Sequence, residues 1–169
     1  MASELTKAWM GSLGDEEEEL PASFHPFGKK FPGLAVQPPE RRLVSDDLDV
    51  LERIQDRRIG LVAAERPADV IAALGWVGAV NIHDDPALLS AVLRSWEVRW
   101  NARLVEIGFD TLMLTVGNPP RDDKTALALA AEHFAFCPDN ITQGSAGVET
   151  IEAYGKSLNQ NRVWEFWWD

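Results

Sequence analysis

"RLVEIGFDTLMLTVG", residues 103–117, decides the fold, because it joins two apolar, β-prone runs through Gly108-Phe109-Asp110. The glycine and the aspartate suit a tight turn, so this stretch predicts an antiparallel β-hairpin. The fold class then depends on what the segments on either side add to the hairpin.

A helix is predicted directly before the hairpin. Asp85 suits an N-cap, Pro86 suits the first helical position, and apolar residues then recur at spacings of three and four. We expect these apolar residues to form one buried face, made of Leu88, Leu89, Val92, Leu93, Trp96 and Trp100. We expect Arg94, Glu97 and Arg99 on the opposite, solvent face.

Two helices are predicted after the hairpin. Asp122 or Asp123 can cap the first, and Pro138 ends it. Its inner stripe would consist of Ala126, Leu127, Ala130, Ala131 and Phe134. The second helix is expected from Val148 to Leu158, with Tyr154 among its inward-facing residues.

Four further segments, before and after these elements in the sequence, are also predicted to form helices or strands. The run Ile59–Ala64 predicts a short strand, and the span between Pro67 and Gly75 predicts a short helix. A further helix is expected from Ser45 or Asp46 to about Arg58. The terminal "RVWEFWWD" predicts an interior strand that is covered on both faces.

The order β, α, β-β, α, α, β across residues 59–168 predicts an α+β fold, a single domain in which helices cover an antiparallel or mixed sheet. It is compatible with a split β-α-β layout like the ferredoxin-like fold, elaborated by an extra helix. We assign residues 41–169 to this domain. Residues 1–40 are expected to form an irregular, acidic and proline-rich N-terminal arm, with 24–36 docked in a groove because of their aromatic side chains.

Composition limits the classes of partner. The chain has 169 residues and a formal net charge of −11, and its basic residues cluster only in pairs such as Lys29-Lys30 and Arg41-Arg42. Nucleic acid and anionic lipid are therefore disfavoured, whereas a basic protein partner is electrostatically permitted. No apolar run approaches the roughly 18 residues of a membrane helix, and the N-terminus lacks a secretion signal, so we expect a cytoplasmic protein.

Four blocks of sequence resemble a known family. "ALGWVGAVN", "AVLRSWEVRWNARLVEIGFDTLMLTVGNPP", "LALAAEHFAFCPDNITQG" and "WEFWWD" are similar to the bacterial domain of unknown function family DUF4253, over roughly residues 72–169. The resemblance implies that family's fold and a bacterial source. It implies no reaction, ligand or catalytic residue.

The stretch "HFAFCPDNITQG", residues 133–144, is the candidate ligand-binding site, with side chains that could line a pocket: His133, Cys137, Asp139, Asn140 and Gln143. His133 and Cys137 lie four positions apart and could face one metal on a helix, but two further ligands at metal spacing are missing. A buried last helical turn explains the same residues. Because the negative end of a helix disfavours a thiolate, we assign no catalytic residue. Because further ligands at metal spacing are missing, we assign no metal, and we assign no cofactor.

Exposed aromatic residues are the candidate partner surface. Trp76 lies in the loop "LGWVG", and one face of the terminal strand would present Trp164 and Trp168. We therefore expect a non-enzymatic, cytoplasmic protein-interaction module, accessory or immunity-like, that binds an unidentified and basic protein. The alternative is an enzyme or a small-ligand or metal-binding protein that uses a pocket near His133, Cys137 and Asp139.

Overall fold

The computed structural model describes residues 1–13, 20–36, 58–144 and 147–169, and its fold is α+β as predicted. The helices are α1 (Ala2–Gly11), α2 (Val70–Leu74), α3 (Pro86–Trp100), α4 (Asp123–Phe136), α5 (Asp139–Thr142) and α6 (Ile151–Leu158). The strands are β1 (Ala102–Ile107), β2 (Thr111–Val116) and β3 (Val163–Trp167). None of the helices among the described residues is long and apolar enough to cross a membrane.

The described residues fall into two compact units. Unit 1 combines the described residues up to 36 with those between Pro120 and Asn161. Unit 2 combines residues 58–119 with Arg162–Asp169 and contains the sheet. The helix expected from Ser45 or Asp46 lies outside the described residues.

The predicted hairpin is confirmed. β1 and β2 pair antiparallel, and the Gly108 N–H donates to the Thr111 carbonyl at 2.8 Å to close the turn. The register shifts between Leu104 and Glu106, which marks a β-bulge at the outer strand. In the described residues the strand order is β1-β2-β3 and every pairing is antiparallel, which differs from a split β-α-β layout.

Helix α3 begins as predicted, with Asp85 as its N-cap accepting a hydrogen bond from the Ala87 N–H at 2.8 Å. It ends at Asn101, which adopts a left-handed φ of 50°. The expectation that Glu97 lies on the solvent face is wrong. Its carboxylate is buried, and the reason is pairing with the guanidinium groups of Arg66 and Arg103.

Strand β3 is not the interior strand that the sequence predicted. It pairs only with β2 among the described strands, and it alternates buried and exposed positions. Trp164 and Phe166 pack against Trp96, with ring centroids 5.7 and 5.4 Å apart. The strand therefore has one covered face and one face with exposed residues, as in a half-buried antiparallel sheet.

The prediction of a strand before α2 is also wrong. Residues Ile59–Ala64 form no strand, because no described strand pairs with them, and the side chains of Ile59 and Leu61 are 96% and 99% exposed. The helix predicted between Pro67 and Gly75 is confirmed as a 3-10 turn, Pro67–Asp69, followed by α2. Gly75 ends it with a left-handed φ of 60°.

In unit 1, helix α4 begins with Asp122 as its N-cap, as predicted, and its last turn leads to Cys137. Helix α6 begins at Ile151, later than the expected Val148, because Thr150 supplies the cap. A Cβ atom at Gly155 would lie 3.2 Å from the Leu127 Cα, so glycine permits α4 and α6 to pack closely.

The N-terminal residues are more regular than the sequence indicated, since they include α1 and a 3-10 turn, Ala22–Phe24. Trp9 is completely buried in unit 1, and its ring meets Phe24 and Phe134 edge-on at 5.3 and 5.5 Å. Phe31 and Ala35 are buried as well. Burial of these large rings stabilises the packing of the N-terminal residues against α4.

Candidate functional site

The last turn of α4 and the start of α5 carry the candidate ligand-binding residues. The side chains of His133 and Cys137 are fully buried, and Asp139 is nearly so. The Cys137 N–H donates to the His133 carbonyl at 2.7 Å, which continues the helical hydrogen bonding to the cap residue. Pro138 follows and begins the turn into α5.

A chain of hydrogen bonds links these residues through Tyr154 of α6. The Cys137 Sγ donates to the Asn140 Oδ1 at 3.4 Å, and the Asn140 Nδ2 donates to the Tyr154 oxygen at 3.2 Å. The same hydroxyl lies 3.1 Å from the His133 Nδ1. With one acceptor position occupied by the amide, the tyrosine can direct its own proton to the imidazole. This arrangement orients all four side chains.

Asp139, the first residue of α5, and Gln143, its C-cap, are also paired: the Gln143 Nε2 donates to the Asp139 Oδ1 at 3.2 Å. The structure therefore joins three of the five candidate residues in one network and the other two in a local pair. Tyr154 is the member of the network that sequence reasoning treated only as core. A lone tyrosine hydroxyl on a predicted inward face was the available signal, since a buried hydroxyl needs a partner.

The chemistry open to this cluster is restricted by burial. A nucleophilic thiol or a metal ligand must reach its substrate or ion, and both the Cys137 sulfur and the His133 ring lie inside the unit. The described residues contain no group of three or more His, Cys, Asp or Glu side chains arranged to hold a metal ion. The geometry fits a packed, hydrogen-bonded helix end.

A second buried polar group, Glu132, adjoins this cluster in sequence. Its side chain is fully buried, and its Oε1 accepts the Ala35 backbone N–H at 2.6 Å. Local sequence patterns could not predict this contact, because the partners are 97 positions apart. The bond attaches the N-terminal residues to α4 within unit 1.

The three predicted surface tryptophans are placed differently. Trp76 is half-buried, and its Nε1 donates to the Gly108 carbonyl at 3.0 Å. Trp164 and Trp168 are not on the surface, since each is 1% exposed. Trp164 lies on the covered face of β3, and Trp168 packs edge-on against Trp76 at 5.4 Å. On the terminal strand it is Trp167 whose ring is partly exposed.

Part of the exposed apolar surface of unit 2 lies at the hairpin turn. Phe109 is 90% exposed, and Val77 and Val80 of the neighbouring loop are exposed as well. The loop touches the turn, because a Cβ atom at Gly78 would lie 2.3 Å from the Phe109 carbonyl oxygen. We call Val77, Val80 and Phe109 the hairpin-tip patch. Sequence reasoning treated Phe109 only as a turn residue.

A groove of about 860 Å³ runs beside the outer strand β1 in unit 2. One wall is formed by residues 104–108 of β1 and the turn. The other wall is formed by residues of the stretch 58–67 together with Val70 and Leu74. Leu61 and Val105 are among its apolar lining residues, and its charged lining residues are Arg58, Glu65, Arg66 and Glu106.

Ion pairs hold the wall opposite β1 onto helix α3. Arg66 lies 3.6 Å from the Glu97 carboxylate, which also binds Arg103 at 2.5 Å. The Arg94 Nε donates to the Asp69 Oδ1 at 2.5 Å. This hydrogen bond, reinforced by the negative charge of the carboxylate, raises the pKa of Arg94.

Comparison with known proteins identifies one family. The model of the family described as "Domain of unknown function (DUF4253)" matches residues 58–169, which is more than half of the chain. The match includes the groove, the hairpin and the His133–Tyr154 network, and it begins after the N-terminal residues that pack on α4. No curated protein and no solved structure matches the chain significantly.

Proposed function

The chain belongs to the DUF4253 family, and we propose that it is a non-enzymatic protein-interaction module of the bacterial cytoplasm, accessory or immunity-like, which binds a basic protein. The observation that carries this proposal is the hairpin-tip patch, in which Phe109 is 90% exposed and its turn contacts the loop that carries the exposed Val77 and Val80. A large exposed aromatic ring has a hydrophobic cost in water, and binding sites commonly use such rings as anchors.

Charge supports the choice of partner. The formal net charge is −11, and a strongly acidic protein attracts basic surfaces and repels nucleic acid and anionic lipid. We therefore propose neither a nucleic acid nor a membrane as the partner. Complex formation should weaken as salt is added, because screening shortens the range of the attraction.

The alternative function, an enzyme or a small-ligand or metal-binding protein, would use the residues near His133, Cys137 and Asp139. It requires the network around Tyr154 to open, since the thiol and the imidazole are buried and hydrogen-bonded. Elemental analysis that finds a bound metal, or a ligand that shifts the NMR signals of His133, would favour it over the proposed function.

The proposed function is tested by affinity capture with matched variants. The wild-type chain, Phe109→Ser and Met10→Ser are used as baits in extract of the source bacterium at low salt. Met10 is the control because it is an exposed apolar residue of the other unit. We expect the wild-type and Met10→Ser baits to retain the same basic protein in equal amounts. This protein should then bind purified Phe109→Ser about thirtyfold more weakly than it binds wild type, which is the loss typical of an interface anchor.

Two results would contradict the proposal. One is a wild-type bait that retains nothing above the level of Phe109→Ser. The other is a retained protein that is acidic and whose binding does not weaken with salt, because charge attraction would then not contribute.

A further inference from the structure

We propose that the groove beside β1 binds an extended segment of the partner protein as an added β-strand. This inference rests on the proposed function and names a site and a binding mode for it. The added strand would lie between β1 and the wall formed by residues 58–67, Val70 and Leu74.

The added strand would pair with the outer edge of β1, on the side away from β2. β1 is an end strand of the sheet among the described strands, with β2 on its other side. In an antiparallel ladder, residue pairs that exchange backbone hydrogen bonds alternate with pairs that do not. Gly108 and Asn101, at the two ends of the β1-β2 ladder, belong to hydrogen-bonded pairs. This alternation turns the backbone groups of Leu104 and Ile107 away from β2. No described residue forms a backbone hydrogen bond to that outer edge.

The bulge in β1 limits the length of the added strand. It lies between Leu104 and Glu106, so the outward-facing residues on either side of it, Leu104 and Ile107, are three positions apart instead of two. An interrupted edge resists long, regular pairing, which protects sheet proteins from edge-to-edge aggregation. We therefore infer a short occupant that pairs on both sides of Val105.

The groove is formed in advance of binding. The Arg66–Glu97 and Asp69–Arg94 ion pairs hold the opposite wall onto α3. The Glu97 carboxylate is buried and shared with Arg103, so it restrains the wall more firmly than an exposed pair would. A preformed site costs less conformational entropy when the ligand binds.

The apolar lining and the net charge of the chain together define the chemistry of the occupant. Leu61 is 99% exposed and Val105 is partly exposed, so both would lose contact with water under an added strand. Arg58 and Arg66 offset Glu65 and Glu106 on the same lining, so the charge that favours a basic occupant is the formal net charge of −11 of the whole chain. Because alternate side chains of a strand face opposite sides, the matching segment alternates apolar residues with lysine or arginine.

A second copy of this chain is disfavoured as the occupant. Two copies each carry a formal net charge of −11, and this repulsion opposes self-association through the groove. A basic segment of another protein meets no such repulsion.

The test uses a fluorescent eight-residue peptide of alternating lysine and valine, and the same peptide with a central proline. Proline keeps the charge but removes the backbone donor and blocks strand addition. Anisotropy should show binding of the first peptide at least about tenfold tighter than that of the second. NMR of the bound chain should shift the amide signals of Leu104 and Ile107.

Matched variants locate the binding. Val105→Lys places a positive charge on the edge, and we expect it to weaken peptide binding about tenfold. Val98→Lys makes the same change at an exposed valine of α3 that does not line the groove, and we expect it to bind like wild type. Circular dichroism spectra of both variants should match that of wild type.

Three results would overturn the strand-addition inference: equal binding of the two peptides, equal weakening by the two variants, or dimer formation in wild type that Val105→Lys abolishes. A natural partner that is lost with Phe109→Ser but kept with Val105→Lys would also overturn it, while the proposed function would stand. Conversely, peptide binding at β1 with no natural partner in the extract would count against the proposed function and support the groove as a peptide site.

Discussion

In the network around Cys137 polar side chains are buried, whereas in the hairpin-tip patch around Phe109 apolar side chains are exposed. In the network a thiol, an imidazole, an amide and a phenol meet at a helix end, largely away from water and bonded to one another. In the patch, a phenylalanine ring and two valines remain in water. Reactive residue types are thus packed inside, while the proposed binding surface is apolar. Chemical type alone therefore does not identify a site, because burial decides which groups a ligand can reach.

The largest expected effect contrasts the same substitution at a buried and an exposed phenylalanine. Phe134→Ala removes a ring that packs against Trp9 and Phe24, and it should lower the free energy of unfolding by about 3–5 kcal/mol through cavity formation. Phe109→Ala should change it by less than about 0.5 kcal/mol. Urea denaturation followed by circular dichroism measures both. A loss above about 2 kcal/mol at Phe109 would show that the ring contributes to packing.

The next contrast concerns buried and exposed glutamates of unit 1. Glu132→Ala leaves the Ala35 N–H without its acceptor in a buried position, which should lower the free energy of unfolding by about 1–3 kcal/mol. Glu152→Ala removes an exposed pair with Lys156 on α6, worth about 0.3–0.5 kcal/mol. Urea unfolding of both variants is the measurement. Equal losses would mean that the buried hydrogen bond contributes no more than a surface ion pair.

A smaller effect tests the network itself. Tyr154→Phe removes the hydroxyl that joins Asn140 and His133, and it should lower the free energy of unfolding by about 1 kcal/mol. NMR of the imidazole nitrogens should also change, because the His133 Nδ1 loses its neighbour. An unchanged imidazole spectrum would contradict the hydrogen bond even if stability fell.

The smallest effect is a pH dependence at the start of α4. The Thr125 backbone N–H hydrogen bond lowers the pKa of Asp122 below its ordinary value. The stabilisation is therefore present above the ordinary pKa of the unfolded chain and is lost as pH falls through the lowered pKa of the folded state. Asp122→Asn still caps the helix and should lose less stability than wild type between pH 5 and pH 2, by roughly 0.5 kcal/mol or less because the group is exposed. Unfolding midpoints across this range measure the difference, and identical losses would contradict a lowered pKa.

Local elements were predictable from the sequence because their causes lie within a few residues. The Asp85 cap, the turn at Gly108 and the end of α4 at Pro138 depend on hydrogen bonds and dihedral angles of neighbouring positions. The strand expected at Ile59–Ala64 failed because a β-prone run becomes a strand only if another strand pairs with it.

The candidate sites were only partly predictable for the same reason. The sequence drew attention to His133 and Cys137, but the partner that joins them is Tyr154, 21 positions beyond the histidine. Alternation in "RVWEFWWD" indicated a strand, yet its place at the end of the sheet buried Trp164 and left Trp167 partly exposed. A pattern indicates which side chains share a face, and the neighbouring elements decide which face is covered.

The amino-acid sequence by itself determined the α+β class, the hairpin, the caps of the main helices and the acidic charge, because these follow from short-range geometry and from composition. Tertiary structure alone decided that the Cys137 thiol and the His133 imidazole are buried and that a groove lies beside β1. It also decided that Glu132 accepts a hydrogen bond from the backbone of the N-terminal residues. The reason is that burial and long-range hydrogen bonds depend on which segments pack together, and that depends on the free energy of the whole folded chain.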